Sequence, residues 1–155
     1  GVAAGAGASI AICCDIVVAT ESASFIQAFS KIGLIPDSAG TFFLPRLVGM
    51  QKATALMMTA ESVSSKDAEE MGMIYKVFPD DKFVEESWKL VSKLAKMPTK
   101  GLGLTKQLLN ASYSNNLEQQ LEMEDKYQTI AGNSSDFKEG VNAFLEKRKA
   151  NFKGE

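Results

Sequence analysis

The chain has 155 residues, 45% of them hydrophobic and 23% charged, with a formal net charge of −2; this is the profile of a soluble globular domain, and it excludes disordered and collagen-like classes. That balance gives no general electrostatic attraction to nucleic acid or an anionic membrane surface, so neither is expected as a partner and any phosphate contact must come from a local cluster. Histidine is absent, which removes Ser-His-Asp triads, Cys-His pairs and most catalytic zinc sites and leaves no expectation of a metal.

Cys13 and Cys14 are adjacent inside an apolar run, where a bridge would be strained and would close almost no loop. They read as buried, reduced thiols of an intracellular, cytoplasmic protein. No apolar run approaches the roughly 18 residues of a membrane span, and the opening GVAAGAGASIAICC lacks a basic region and a signal-type cleavage site. Export is not expected. Carboxylates, lysines, tyrosines and backbone N–H groups remain as the main chemical parts.

In chain order, GVAAGAG reads as a strand end running into a turn, residues 7–14 as a short buried helix, and DIVVAT (15–20) as a buried strand. SASF (22–25) suits another short strand, and 26–36 an irregular loop ending at Pro36. Asp37 or Ser38 is placed to cap a helix over 39–48 that breaks near Pro45 and closes at Gly49. Residues 51–60 have helical spacing, 64–72 form a capped helix closed by Gly72, and MIYKVF (73–78) reads as a strand. Beyond that point, 80–97, 99–112, 116–131 and 135–149 carry apolar positions three and four apart, which predicts four helices. Early strands and late helices imply an α/β core with a helical extension.

Glycines at 1, 5 and 7 allow close backbone approach at a strand-to-helix turn, and a helix N-terminus presents unpaired N–H groups. Such a turn suits either tight packing or an anion. It is not a triphosphate loop, because no Lys-Ser/Thr follows and GxGxxG is incomplete; a thioester oxyanion is a better-sized guest.

Four stretches, GVAAGAGASIAICCDIVVATESASF, IGLIPDSAGTFFLPRLVG, AEEMGMIYKVF and EGVNAFLEKRKANFKG, together resemble the crotonase superfamily of enoyl-CoA hydratases and isomerases, in the family's order. Within it, FIQAFSKIGLIPDS resembles the 1,2-epoxyphenylacetyl-CoA isomerase and enoyl-CoA isomerase type, associated with phenylacetate degradation. The resemblance implies a crotonase-like α/β spiral, here its C-terminal part over 1–78, followed by a helical trimerisation region over 79–155. The earlier repeats of the spiral are expected before Gly1. A homotrimer or a hexamer is the implied assembly.

The same resemblance implies an oxyanion hole of two backbone N–H groups. One donor maps to Ala6, and its partner to the portion preceding Gly1. The two glutamates of a typical hydratase map to Ser9 and Phe29, neither of which transfers a proton near neutral pH. The acid of the family's isomerases maps to Asp37. Local pattern reads Asp37 as a cap or Asx-turn residue; the resemblance reads it as a proton shuttle in an apolar pocket.

At the other end, AFLEKR matches a helix that approaches the nucleotide of CoA, with Phe144 and Lys147 at the matching positions. The local reading of those cations is a solvated helix end that offsets the dipole. A CoA thioester is thus the implied substrate, with no separate cofactor. Double-bond isomerisation through an enolate is the implied activity. Hydratase-like chemistry and a catalytically silent CoA-binding or assembly module stand as alternatives. Met57, Met58, Met71, Met73, Phe42 and Phe43 read as core or acyl-pocket lining.

Overall fold

The computed structural model describes residues 1–155 and divides into two compact units, Gly1–Ser87 and Trp88–Glu155. No helix is long and apolar enough to cross a membrane.

The first unit runs β1 (Val2–Ala4), α1 (Ala6–Ile12), β2 (Val18–Thr20), β3 (Ser24–Ile26), a 3-10 turn (Ala28–Ile32), α2 (Gly40–Val48), α3 (Met50–Thr59), β4 (Ser62–Ser64), α4 (Ser65–Glu70) and β5 (Lys76–Phe78). Its strands divide between two small sheets. In one, β3 is central, parallel to β1 and antiparallel to β4; in the other, β2 and β5 are parallel. The chain crosses between the two sheets through α1 (β1 to β2), by a short turn (β2 to β3) and through α4 (β4 to β5), which is the alternation of an α/β spiral. Ile12, Phe25, Leu44, Val63, Met73 and Ile74 form the core where the helices meet the strands.

Both apolar runs expected to be six-residue strands are shorter. Pairing extends only from Val18↔Lys76 to Thr20↔Phe78, because each run first has to leave a helix. Cys13 and Cys14 still donate to Ile10 and Ala11 carbonyls, and Met73 and Ile74 both donate to the Ala68 carbonyl. β4, a Ser-Val-Ser strand with a single apolar residue, was not expected; it is fixed by the pairing of Val63 with Phe25.

α2 also differs from expectation. It runs through Pro45, losing one helix hydrogen bond, while Leu44 is fully buried and the Arg46 guanidinium stacks 3.7 Å from the Phe42 ring centre and donates to the Phe42 carbonyl at 2.8 Å. Its cap is neither Asp37 nor Ser38. Ala39 takes that place in a left-handed conformation with no side-chain cap bond. The cysteines are not both buried either: Cys13 is half-buried and Cys14 exposed.

In the second unit, beyond α5 (Phe83–Ala95), which crosses the division, lie α6 (Thr99–Ala111), α7 (Leu117–Gly132) and α8 (Ser135–Leu145). Their ends follow capping chemistry. Asn116 accepts from the Gln119 N–H while Gln119 accepts from the Asn116 N–H, a reciprocal capping box, and Ser134 accepts from the Phe137 N–H. The Tyr127 hydroxyl donates to Gln107 at 2.9 Å, joining α7 to α6.

α1 and α2 meet without clearance at Gly40. A Cβ on Gly40 would lie 2.5 Å from the buried Ser9 Oγ. Gly40→Ala is therefore expected to destabilise the protein by about 1–3 kcal/mol through overpacking, read by urea denaturation, and the double variant with Ser9→Ala should recover most of that loss.

Candidate functional site

Ala6 opens α1 directly after Gly5, which caps the helix without a side-chain bond. Gly5 is held in place when its N–H donates to the Ile26 carbonyl at 2.9 Å and its carbonyl accepts from Ser9 at 3.1 Å. The N–H groups of a first helical turn have no intrahelical acceptor, so the Ala6 amide is available at the positive end of the helix dipole.

Asp37 lies on a tight turn. The Gly40 N–H donates to the Asp37 carbonyl at 2.9 Å, and the two residues between, Ser38 and Ala39, have φ of 50° and 61°. Each left-handed L-residue costs about 1–2 kcal/mol. The turn is docked on α1: Gly40 abuts Ser9, and the Cys13 thiol donates to the Ser38 carbonyl at 3.4 Å. Ala6 and the Asp37 turn thus attach to the same short helix, Ala6 at its start and the turn along its flank.

The Asp37 side chain is exposed, not enclosed as expected. The apolar residues that precede it in sequence, Ile32, Leu34 and Ile35, are themselves exposed, Ile35 at 83%. The capping alternative fails as well, since that carboxylate makes no cap bond.

Ser9 and Phe29 are both buried. The Ser9 hydroxyl lies under Gly40 and donates to the buried Gln27 at 3.5 Å, while the Phe29 ring would sit 3.8 Å from a Cβ on Gly5 and so supports the glycine turn from beneath. Neither is open to a substrate. Met73 is core, Phe43, Met57 and Met71 pack against the core, and Met58 is exposed at 74%.

Phe144 and Lys147 come together at the end of α8 in the second unit. Phe144 is 83% exposed and borders a mostly apolar cavity of about 600 Å³ with Phe137, Val141, Leu145 and Phe152. Lys147 has φ of 55°. Its N–H donates to the Phe144 carbonyl at 3.3 Å and the Arg148 N–H donates to the Ala143 carbonyl at 3.0 Å. These two bonds make a Schellman ending with Lys147 at the left-handed position, where glycine is the usual residue; the lysine there costs about 1–2 kcal/mol.

The residues after Lys147 fold back along α8. The buried Asp136 carboxylate accepts from the Lys153 and Gly154 N–H groups at 2.7 and 2.8 Å. Phe152 packs on Gly140. Arg148 donates to both Glu139 oxygens at 2.6 and 2.9 Å and to Glu146 at 2.6 Å, and Glu139 also accepts from the Asn151 N–H at 2.8 Å. This clasp was not read from the sequence, since Glu139 and Arg148 are nine residues apart and off any helical spacing.

The family model for enoyl-CoA hydratase/isomerase matches residues 1–155. The 1,2-epoxyphenylacetyl-CoA isomerase of Escherichia coli K12 is 48% identical over 99% of this chain and 59% of its own length, and the mitochondrial enoyl-CoA hydratase of Pongo abelii is 39% identical over 99% of this chain and 53% of its own. The crystal structure of an enoyl-CoA hydratase from Bacillus anthracis superposes with a TM-score of 0.96 at 32% identity, covering all of this chain and 60% of that one. The chain belongs to the enoyl-CoA hydratase/isomerase family and has the crotonase-like fold. It spans less than two thirds of the length of these relatives.

Arg148 and the Asn151 N–H hold the Glu139 carboxyl down at about 2, from an ordinary value of 4.5. A depressed carboxylate stabilises the folded state above its unfolded value and loses that contribution as pH falls toward its folded value. Stability of the α8 clasp should therefore decline as pH drops from about 4.5 to about 2, and urea midpoints measured across that window should flatten in Glu139→Gln.

Proposed function

We propose that the chain is the working later part of an acyl-CoA isomerase, which shifts a double bond or rearranges a CoA thioester through an enolate. In this reading, the Ala6 N–H donates to the thioester oxygen as charge develops there, together with a second donor from outside residues 1–155. The Asp37 carboxylate removes a proton from the carbon made acidic by the thioester and returns it to a different carbon of the same allylic system. One carboxylate is enough for that reaction, because no water is added and the proton is conserved.

The observation that carries this reading is the chemistry at the three positions that the resemblance maps. Ser9 and Phe29, where the resemblance puts the hydratase glutamates, are buried and without an acid, while Asp37 is exposed on a strained turn and spends its side chain on no cap. Strain of this kind concentrates at functional sites. The name of the 48% identical relative, an isomerase, supports the same choice. An acyl chain lying over Ile32, Leu34 and Ile35 would exclude water from the turn that carries Asp37.

At the second unit, Phe144 is assigned to stacking on the adenine of CoA and Lys147 to its phosphates. A trimer or a hexamer is the assembly that the family resemblance implies, and the exposed Trp88, Leu109, Leu117 and Leu121 are side chains that a partner surface would cover. Hydration is the second reading, favoured by the 39% identical hydratase. It requires a proton donor at Ser9 or Phe29 that the sequence does not supply.

A 3-enoyl-CoA supplied to the intact protein should be converted to its conjugated isomer, followed by ultraviolet absorbance. Asp37→Asn is expected to lower kcat roughly 10²- to 10⁴-fold, the span of general acid–base catalysis, with little change in KM. Unchanged turnover would remove Asp37 from the reaction, and rapid hydration of a 2-enoyl-CoA would reverse the choice between isomerase and hydratase.

A further inference from the structure

Two helices of this chain end in the same motif with different residues at its left-handed position. After α4, Gly72 (φ 78°) donates to the Glu69 carbonyl at 3.0 Å and Met73 to the Ala68 carbonyl at 2.8 Å. After α8, Lys147 (φ 55°) and Arg148 make the equivalent pair of bonds to Phe144 and Ala143. Glycine takes that conformation without a steric cost and lysine does not. A lysine wanted only to offset the helix dipole could sit anywhere in the last turn at no backbone cost.

What holds the lysine there is the residue after it. In the α4 ending that residue is Met73, anchored by burial in the core. Its counterpart Arg148 is anchored by charge: a two-pronged bond to Glu139, a bond from Nε to Glu146, and one from Nη1 to the Lys149 carbonyl at 3.2 Å. Glu146 and Arg148 flank Lys147 in sequence, so their bond closes across it. Arg148 also takes up both nearby carboxylates. Lys147 is exposed and has no acidic side chain within ion-pair distance, which leaves its ammonium for an anion from outside the chain.

The geometry points to Arg148 as a positioning residue: through Glu139 and Glu146 it keeps Lys147 in its left-handed conformation and its ammonium unpaired, ready for the phosphates of a CoA thioester. This rests on the assignment of Lys147 to CoA made above. Arg148 itself touches no substrate in this scheme. A lysine in its place would keep the charge and lose the planar fork that engages both Glu139 oxygens.

The test is steady-state kinetics on the intact protein with paired CoA and pantetheine thioesters of one acyl group, the latter lacking the nucleotide and its phosphates. Lys147→Gly is expected to raise KM for the CoA thioester roughly three- to tenfold and to leave kcat and the pantetheine KM unchanged. Its thermal midpoint should match or exceed the parent's, by up to about 2–4 °C for a chain of this size. Arg148→Lys and Glu139→Gln should raise KM for the CoA thioester roughly two- to fivefold, again without moving the pantetheine KM.

If Lys147→Gly changes neither KM, the CoA assignment is wrong and the positioning role falls with it. If Lys147→Gly raises the CoA KM while Arg148→Lys and Glu139→Gln leave it unchanged, the CoA assignment stands and the positioning role is overturned. If the Arg148 and Glu139 variants raise both KM values or depress kcat, Arg148 is a structural brace only, and the proposal is overturned by that route.

Discussion

The approach of Gly40 to Ser9 is the constraint on which the candidate site in the first unit depends. With hydrogen in place of a side chain at 40, the start of α2 lies against the flank of α1, where a single added carbon would come within 2.5 Å of the Ser9 oxygen. Everything N-terminal to that contact on the turn, Asp37 included, is thereby located relative to the helix that Ala6 begins. The two residues that the resemblance maps to the hydratase glutamates both serve this packing. Ser9 is small enough to lie beneath Gly40, and Phe29 is large enough to support Gly5. Both are structural supports in the fold, and Asp37 stands on a turn with two left-handed L-residues.

Backbone strain marks the candidate residues in both units. Ser38 and Ala39 adjoin Asp37, and Lys147 is itself left-handed. In each case neighbouring interactions over-determine the conformation: the α1 contact for the Asp37 turn, and the carboxylate bonds of Arg148 for Lys147. A chain selected for stability alone would place glycine at such positions, as it does at Gly33 and Gly72. Ala60, left-handed at φ 50° at the end of α3, shows that strain alone does not define a site; the chemistry of the neighbouring side chain has to accompany it.

Much of the fold was legible in the sequence because its signals are local. Apolar spacing of three and four residues marked α5 to α8, and Ser64 and Gly72 marked the ends of α4. Strand limits were not legible, because DIVVAT and MIYKVF carry no record of where a partner strand begins; pairing across distant residues set them at three residues each. The same holds for β4, whose single valine is a strand residue only opposite Phe25. The Asp37 turn misled local reading, since an Asp-Ser pair before a helix suggests a cap and the chain instead turns through two positive φ values. Asp37, Ala6, Phe144 and Lys147 entered as candidates through the family resemblance alone, and the Arg148 clasp only through the folded path of the chain after α8.

The central claim is that the Asp37 carboxyl exchanges a proton with the carbon next to a polarised thioester. The most direct measurement is deuterium incorporation at that carbon when the intact protein and a saturated acyl-CoA are incubated in heavy water and followed by NMR or mass spectrometry, since the readout needs no complete turnover. The parent protein is predicted to introduce deuterium there, and Asp37→Asn to fall to the uncatalysed rate with CoA binding retained. Deuterium entering at the parent rate in Asp37→Asn would contradict the claim and assign the proton transfer to another group.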